Sequence, residues 1–176
     1  MNQAQLVAFG NDIRTNTNQE VIDALAENNP GLIAEWYNQT ASPDFWVFVQ
    51  SVTTDTVRES LSPSETCADE DAPTDPGLNA EQRWHFDLLM HNGSYDPAKR
   101  VSRDMLVRIF PSHMSQTRSN VLSDVTRLAN RVEKVLAETL DGPGGGNGSA
   151  KTSSAGCTHF GNVSWVDVNA ALDATA

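Results

Sequence analysis

Cys157 and His159, two positions apart, come closest in this 176-residue chain to a pair of metal ligands. A thiolate and an imidazole supply two soft ligands. A structural zinc site takes four, and no second pair stands at ligand spacing. The other histidines, His85, His91 and His113, are scattered, and His85 and His91 do not share a helical face well. The contiguous carboxylates Asp69, Glu70 and Asp71 suit a hard cation. They lack the alternating ligands and central glycine of a calcium loop, so a solvated acidic patch is the better reading. The glycine-rich stretch 142–148 follows a helical segment and has no Lys-Ser/Thr ending, so it reads as a linker rather than a phosphate cradle. No serine sits in a nucleophile elbow with a matching His and Asp. A metal-dependent enzyme using Cys157, His159 and the acidic loop is a minor alternative. The sequence predicts no enzymatic activity, no metal and no cofactor.

Composition narrows the class. The chain carries 23 Asp+Glu against 12 Lys+Arg, a net charge of −11, which disfavours binding a phosphate backbone as a free monomer. With 39% apolar and 20% charged residues it is too apolar for full disorder and too polar for a membrane protein. No apolar run reaches the roughly 18–20 residues of a membrane span, and residues 1–30 lack a signal-peptide layout, so no membrane partner is expected. Cys67 and Cys157 do not make a disulfide scaffold, which points to a reducing cytoplasm as the place of synthesis. Charge is segregated along the chain. Residues 1–81 hold 14 acids and two bases, whereas residues 82–140 hold nine bases and six acids. Such a chain can pair head to tail with copies of itself; the plainer reading is two differently charged faces of one soluble domain.

The elements that would position these residues read as mainly α: a helical bundle with one long helix, extended loops and a tethered C-terminal segment. Residues 1–140 form the helical domain, 141–156 a Gly/Ser-rich linker and 157–176 a docking segment. Thr17 and Glu20 read as a capping box ahead of Val21, Ile22 and Leu25. Leu32, Ile33, Trp36 and Tyr37 mark a second short helix. Ser42-Pro43 resembles a helix start, although the run 44–49 would also suit a buried strand. Thr54 caps a short helix carrying Val57 and Leu61. Residues 62–78, acidic and proline-rich, form a flexible loop. Residues 80–91 are amphipathic with Trp84, Leu88 and Leu89 on one face, and Val101, Met105, Ile109 and Phe110 share a stripe. The longest helix is expected from 112 to 139, with Val121, Val125, Leu128, Val132 and Val135 at alternating spacing. Ser164 and Asp167 form a capping box for a final short helix.

Most aromatic residues, Trp46, Trp84 and Phe110 among them, are expected in the core. Trp165 differs, because its short helix follows a flexible stretch and must dock to be ordered, on its own domain or on a neighbouring subunit.

Three strings, in order, resemble a family of small structural proteins encoded among the virion genes of tailed bacteriophages. The first is Ala41-Ser42-Pro43-Asp44-Phe45-Trp46-Val47-Phe48 with Ser51-Val52-Thr53 and Arg58-Glu59. The second is Arg83-Trp84, Phe86, Asn92-Gly93, Asp96-Pro97 and Val107-Arg108-Ile109-Phe110. The third is the run 128–137 followed, after the glycine-rich gap, by Gly161-Asn162-Val163-Ser164-Trp165-Val166-Asp167-Val168. The resemblance spans about residues 20–172, with 62–78 as an insertion, and looks like the head–tail connector (adaptor, or neck) type. It implies a ring homo-oligomer, usually of about twelve copies, between portal and tail. The partners implied are further copies, the portal protein, tail or neck proteins, and DNA passing without sequence-specific binding. The implied location is the virion, assembled in the host cytoplasm. Interface residues expected on that reading are Trp165, Val166, Val168, Arg100, Arg103, Arg108, Asp69, Glu70 and Asp71. A capsid decoration or tail-tube protein of the same virion, or a small non-enzymatic cytoplasmic binding module, are the alternatives.

Overall fold

The computed structural model describes residues 1–66, 77–91, 93–111, 114–140, 147–157, 159 and 161–176. Helices dominate them, and asparagine starts many of these helices. Asn2 and Gln5 close a capping box at the start of α1 (Gln3–Thr15). Asn18 caps α2 (Gln19–Ala26) by accepting from the Glu20 N–H at 3.0 Å, so the helix starts one residue later than a Thr17 cap would place it. Asn29 caps α3 (Pro30–Tyr37), whose first residue is a proline that gives up no hydrogen bond there. The chain is then extended through β1 (Trp46–Phe48): residues 46–48 form a strand, not the helix start that Ser42-Pro43 suggested. Next come β2 (Val52–Thr53), α4 (Thr54–Glu59) capped by Thr53, and a single turn α5 (Pro63–Thr66). Helix α6 (Ala80–Met90) opens with an Asn79/Gln82 capping box and leads to β3 (Ser94–Tyr95), α7 (Arg100–Ile109) and α8 (Ser115–Val125). Strand β4 (Thr126–Leu128), α9 (Arg131–Leu140), a 3-10 turn at Lys151–Ser153 and α10 (Trp165–Asp173) complete the order. Strands β1 and β4 form one two-stranded sheet and β2 and β3 another, antiparallel, with Val52 opposite Tyr95.

The single long helix expected over 112–139 is two helices separated by a strand. Asn130 ends the extension: its side chain accepts from the Glu133 N–H at 2.9 Å, and the Glu133 carboxylate accepts from the Asn130 N–H at 3.1 Å. That reciprocal cap starts a new helix and offsets the cost of breaking the old one. The apolar rows on either side serve different cores. Val121 and Val125 lie in one, and Val132 and Leu136 in another.

The fold divides into two compact units, Met1–Val47 with Leu128–Ala176, and Phe48–Arg127, the second inserted within the first. In the Phe48–Arg127 unit, Val57, Tyr95, Ile109, Phe110, Met114 and Val125 are the buried centre. The Glu65 carboxylate accepts from the Gln116 and Thr117 N–H groups at 2.9 and 2.7 Å, capping the start of α8, and the Ser60 hydroxyl donates to Asp124. Helix α6 buries Phe86 and Met90, while Trp84 is 61% exposed, so the expected Trp84/Leu88 core face is turned outward. The rest of the expected acidic loop, residues 67–76 with Asp69, Glu70 and Asp71, lies outside the described residues.

In the unit built from the two chain ends, α1, α3, α9 and α10 enclose Phe9, Ile13, Ile33, Tyr37, Val132, Leu136, Val168 and Ala171. A smaller apolar cluster gathers Phe45, Val47, Ala129, Ala137, Ala155 and Cys157. It takes in half of the expected linker. Residues 141–146 lie outside the described residues, but Gly148, at φ +68°, is pressed against the Phe45 ring, and Ala155 pairs with Val47.

Candidate interaction surfaces

The C-terminal helix is docked, and both of its ends are held. At its entry the Asn38 amide donates to the Val163 carbonyl at 2.9 Å and accepts from the Val163 N–H at 2.7 Å. Ser164 and Asp167 form the expected capping box. The hydroxyl of Ser164, foremost among the local groups, holds the Asp167 carboxyl below its ordinary pKa of 3.8. At the far end the Arg14 guanidinium reaches the Leu172 carbonyl at 2.9 Å and the Thr175 hydroxyl at 2.8 Å, where a cation suits the helix dipole. Between these ends Gly10 of α1 meets the backbone of Ala171, and a Cβ added there would overlap the Ala171 carbonyl. The expected tether is therefore a packed helix.

This docking decides the fate of the predicted interface residues on α10. Val168 faces the core at 0% exposure, so it cannot be part of an external contact. Trp165 and Val166 are 60% and 53% exposed, on the side of the helix that Val168 and Ala171 leave outward. The helix is ordered through Val168 and Ala171, and the tryptophan is left over. That inverts the expectation that Trp165 would be the docking anchor.

The three predicted arginines separate as well. Arg103 is engaged inside its own unit, with its guanidinium over the Phe48 ring at 5.1 Å and hydrogen bonds to the Pro97 and Ala98 carbonyls. Arg100 lies 3.9 Å from Asp104 on the exposed side of α7. Arg108 lines a shallow groove with Asn79, Glu81, Gln82 and His85 of the α6 end. Asp69, Glu70 and Asp71 are outside the described residues.

Cys157 and His159 gather no further metal-ligating side chains around them among the described residues. The Cys157 thiol is buried and directed at two backbone carbonyls, His159 at 2.7 Å and Glu133 at 3.6 Å. No group of three or more His, Cys, Asp and Glu side chains is arranged to hold a metal ion among the described residues. Burial holds the His159 imidazole below its ordinary pKa of 6.5. Close by, Glu133 is fully buried, and its carboxylate accepts from the Gly161 N–H at 2.8 Å as well as from Asn130. That is a structural use of a carboxylate: it ties 161 to the start of α9. Sequence reading missed it, although the Asn130-x-x-Glu133 pattern carried the signal.

A second feature missed from sequence is a groove of about 310 Å³ between α2 and α3. Glu20, Asp23 and Glu27 line it from α2, with Leu32, Glu35 and Trp36 from α3. Trp36 is braced by the Arg131 guanidinium, stacked 3.9 Å from its ring and bonded to its carbonyl.

No protein-family model, curated protein or solved structure matches this chain. No described helix is long and apolar enough to cross a membrane.

Proposed function

We propose that this chain is a non-enzymatic structural subunit of a tailed-phage virion, a head–tail connector that assembles as a ring between portal and tail. The observation that carries the reading furthest is the exposed Trp165–Val166 pair. It is held rigidly at the capped start of a docked helix, where a solvated residue would serve folding equally well. Tryptophan is enriched among residues that dominate binding energy, and a rigid platform lowers the entropy lost on contact. Further support comes from the segregated charge of the sequence. A closing ring needs two different, complementary edges on each copy.

Negative-stain electron microscopy of the purified protein, alone and with the portal protein encoded beside it, tests the reading. Rings, or an added layer of density beneath the portal, are the expected result. Binding to capsid lattice without affinity for portal would instead make it a decoration protein. A chain that stays monomeric and binds neither would overturn a virion role.

A further inference from the structure

A groove and a protruding pair of side chains, both on the unit formed by the two chain ends, fit one another. The groove, of about 800 Å³, runs along α1 with α9 at its side. Ala4, Val7, Ala8 and Asn11 recur at three- and four-residue intervals, which puts them in one row on α1, and Val135 of α9 adds an apolar wall. Asn11 and Asp12 bring side-chain oxygens, and Asp12 already accepts from the Tyr37 hydroxyl at 2.5 Å. Among the described residues that line the groove there is no cation and no aromatic ring. The protruding pair is Trp165 and Val166. Side chains on a helix lean toward its N-terminus, so at the first position of α10 the indole projects past the helix end instead of lying on a preceding turn. The other three tryptophans have neighbours: Arg131 over Trp36, Lys151 over Trp46, and His85 edge-on to Trp84. Among the described residues no ring or cation lies against Trp165.

We propose that Trp165 and Val166 of one copy insert into the α1/α9 groove of a second copy, the indole lying on Ala4, Val7, Ala8 and Val135 with its N–H donating to Asn11 or Asp12. Trp165 is 60% exposed, so it does not fill the groove of its own copy, and Val168 and Ala171 hold α10 where it is. Chemistry selects this occupant. An uncharged side chain with a large apolar surface and a single N–H donor suits apolar walls edged by oxygen acceptors. Area sets the strength. A tryptophan buries up to about 250 Å², so the 60% left open offers a neighbour about 150 Å². That is small against the roughly 800 Å² per partner of a stable pair, so one contact is weak and a copy that makes two is held better. Knob and groove are different surfaces of one compact unit, so the contact is head to tail: each pairing leaves a knob at one end and a groove at the other. This inference rests on the self-assembling-subunit reading above and assigns its two edges.

The test uses the full chain in three forms: wild type, a knob variant with Trp165→Ala and Val166→Ala, and a groove variant with Ala4→Arg and Asn11→Arg. All four positions are exposed, so the variants should fold, which far-UV circular dichroism checks; Ala4→Arg alone replaces a groove variant that does not. In sedimentation velocity wild type should grow beyond the dimer as concentration rises through about 10–100 µM, and each variant alone should associate about 100-fold more weakly. A one-to-one mixture of the two variants should form dimers and stop there, because its one intact knob and one intact groove are then both occupied. A mixture that stays monomeric, or grows as wild type does, would overturn the contact. So would a wild type still monomeric at about 500 µM, or either variant assembling like wild type. Variants that still build rings beneath a portal would sink this contact while leaving the connector reading standing. A wild type that assembles through this contact but adds no density to a portal would do the reverse.

Discussion

Gly10→Ala is expected to destabilise the unit formed by the two chain ends, against the usual direction of such a change in a helix. Gly10 lies inside α1, where alanine is favoured over glycine by up to about 1 kcal/mol. A methyl group there would overlap the Ala171 carbonyl and come within 2.8 Å of the Thr175 hydroxyl, and both obstacles are fixed by α10. The Ala171 carbonyl is backbone in a docked helix and cannot swing aside. Overpacking of this kind costs about 1–3 kcal/mol, so the net loss should be about 1–2 kcal/mol. Gly31→Ala is the control. It lies in the first turn of α3, and its new Cβ would find only the Asn29 side chain, at an ordinary 3.4 Å. That change should stabilise by about 0.5 kcal/mol. Urea unfolding followed by circular dichroism gives the two signs, and hydrogen exchange should show faster opening of α10 amides in the Gly10 variant alone. If Gly10→Ala stabilises as much as Gly31→Ala does, α1 and α10 do not pack as described.

Three further predictions concern the same unit. Val168→Ala should cost about 1.5–3 kcal/mol by thermal or urea unfolding, whereas Trp165→Ala should stay within about 0.5 kcal/mol yet weaken assembly; equal losses of stability would mean the tryptophan is core. Glu133→Ala leaves the Asn130 and Gly161 amides without their acceptor and should cost about 2–4 kcal/mol, with Glu133→Gln recovering part of it; a loss below about 0.5 kcal/mol would contradict the capping role. Acidification should destabilise in two stages. His159 is held below 6.5 in the fold, so the unfolded chain binds more protons as pH falls through that region, and stability declines there. Asp167 adds a second decline below pH 3.8, as its depressed folded pKa is approached. In a pH series of urea midpoints, His159→Gln should remove the first decline and Asp167→Asn the second.

Local chemistry was legible in the sequence where a side chain acts on its own backbone. The Ser164/Asp167 cap, the helical character of 80–91 and 100–109, and the Asn29-Pro30 boundary could all be read directly. Periodicity failed where it had to say which core a residue serves. Val121, Val125, Val132 and Val135 keep one rhythm across the break at 126–130, and spacing cannot reveal that two cores divide them. Helix α6 presents two apolar pairs, Trp84 with Leu88 and Phe86 with Met90, and only its neighbours decide which pair is buried. The exposed side of α10 was hidden for a similar reason. Trp165 is the larger residue, but Gly10 admits a close approach that Val168 and Ala171 fill. Of the candidate interface, Trp165, Val166, Arg100 and Arg108 are exposed, and the α2/α3 groove was visible only as an unremarked run of acids.

The insertion of Phe48–Arg127 between two halves of another unit sets an order of events during synthesis. Everything this inserted unit needs has left the ribosome once residue 127 is clear of the tunnel, so it can close while the chain is still growing. Helix α1 packs most extensively against α10, so that side of its apolar face stays open until residues 165–173 have been made. A nascent chain stalled before residue 165 should therefore present a folded middle and a first helix whose α10-facing side is still open to chaperones.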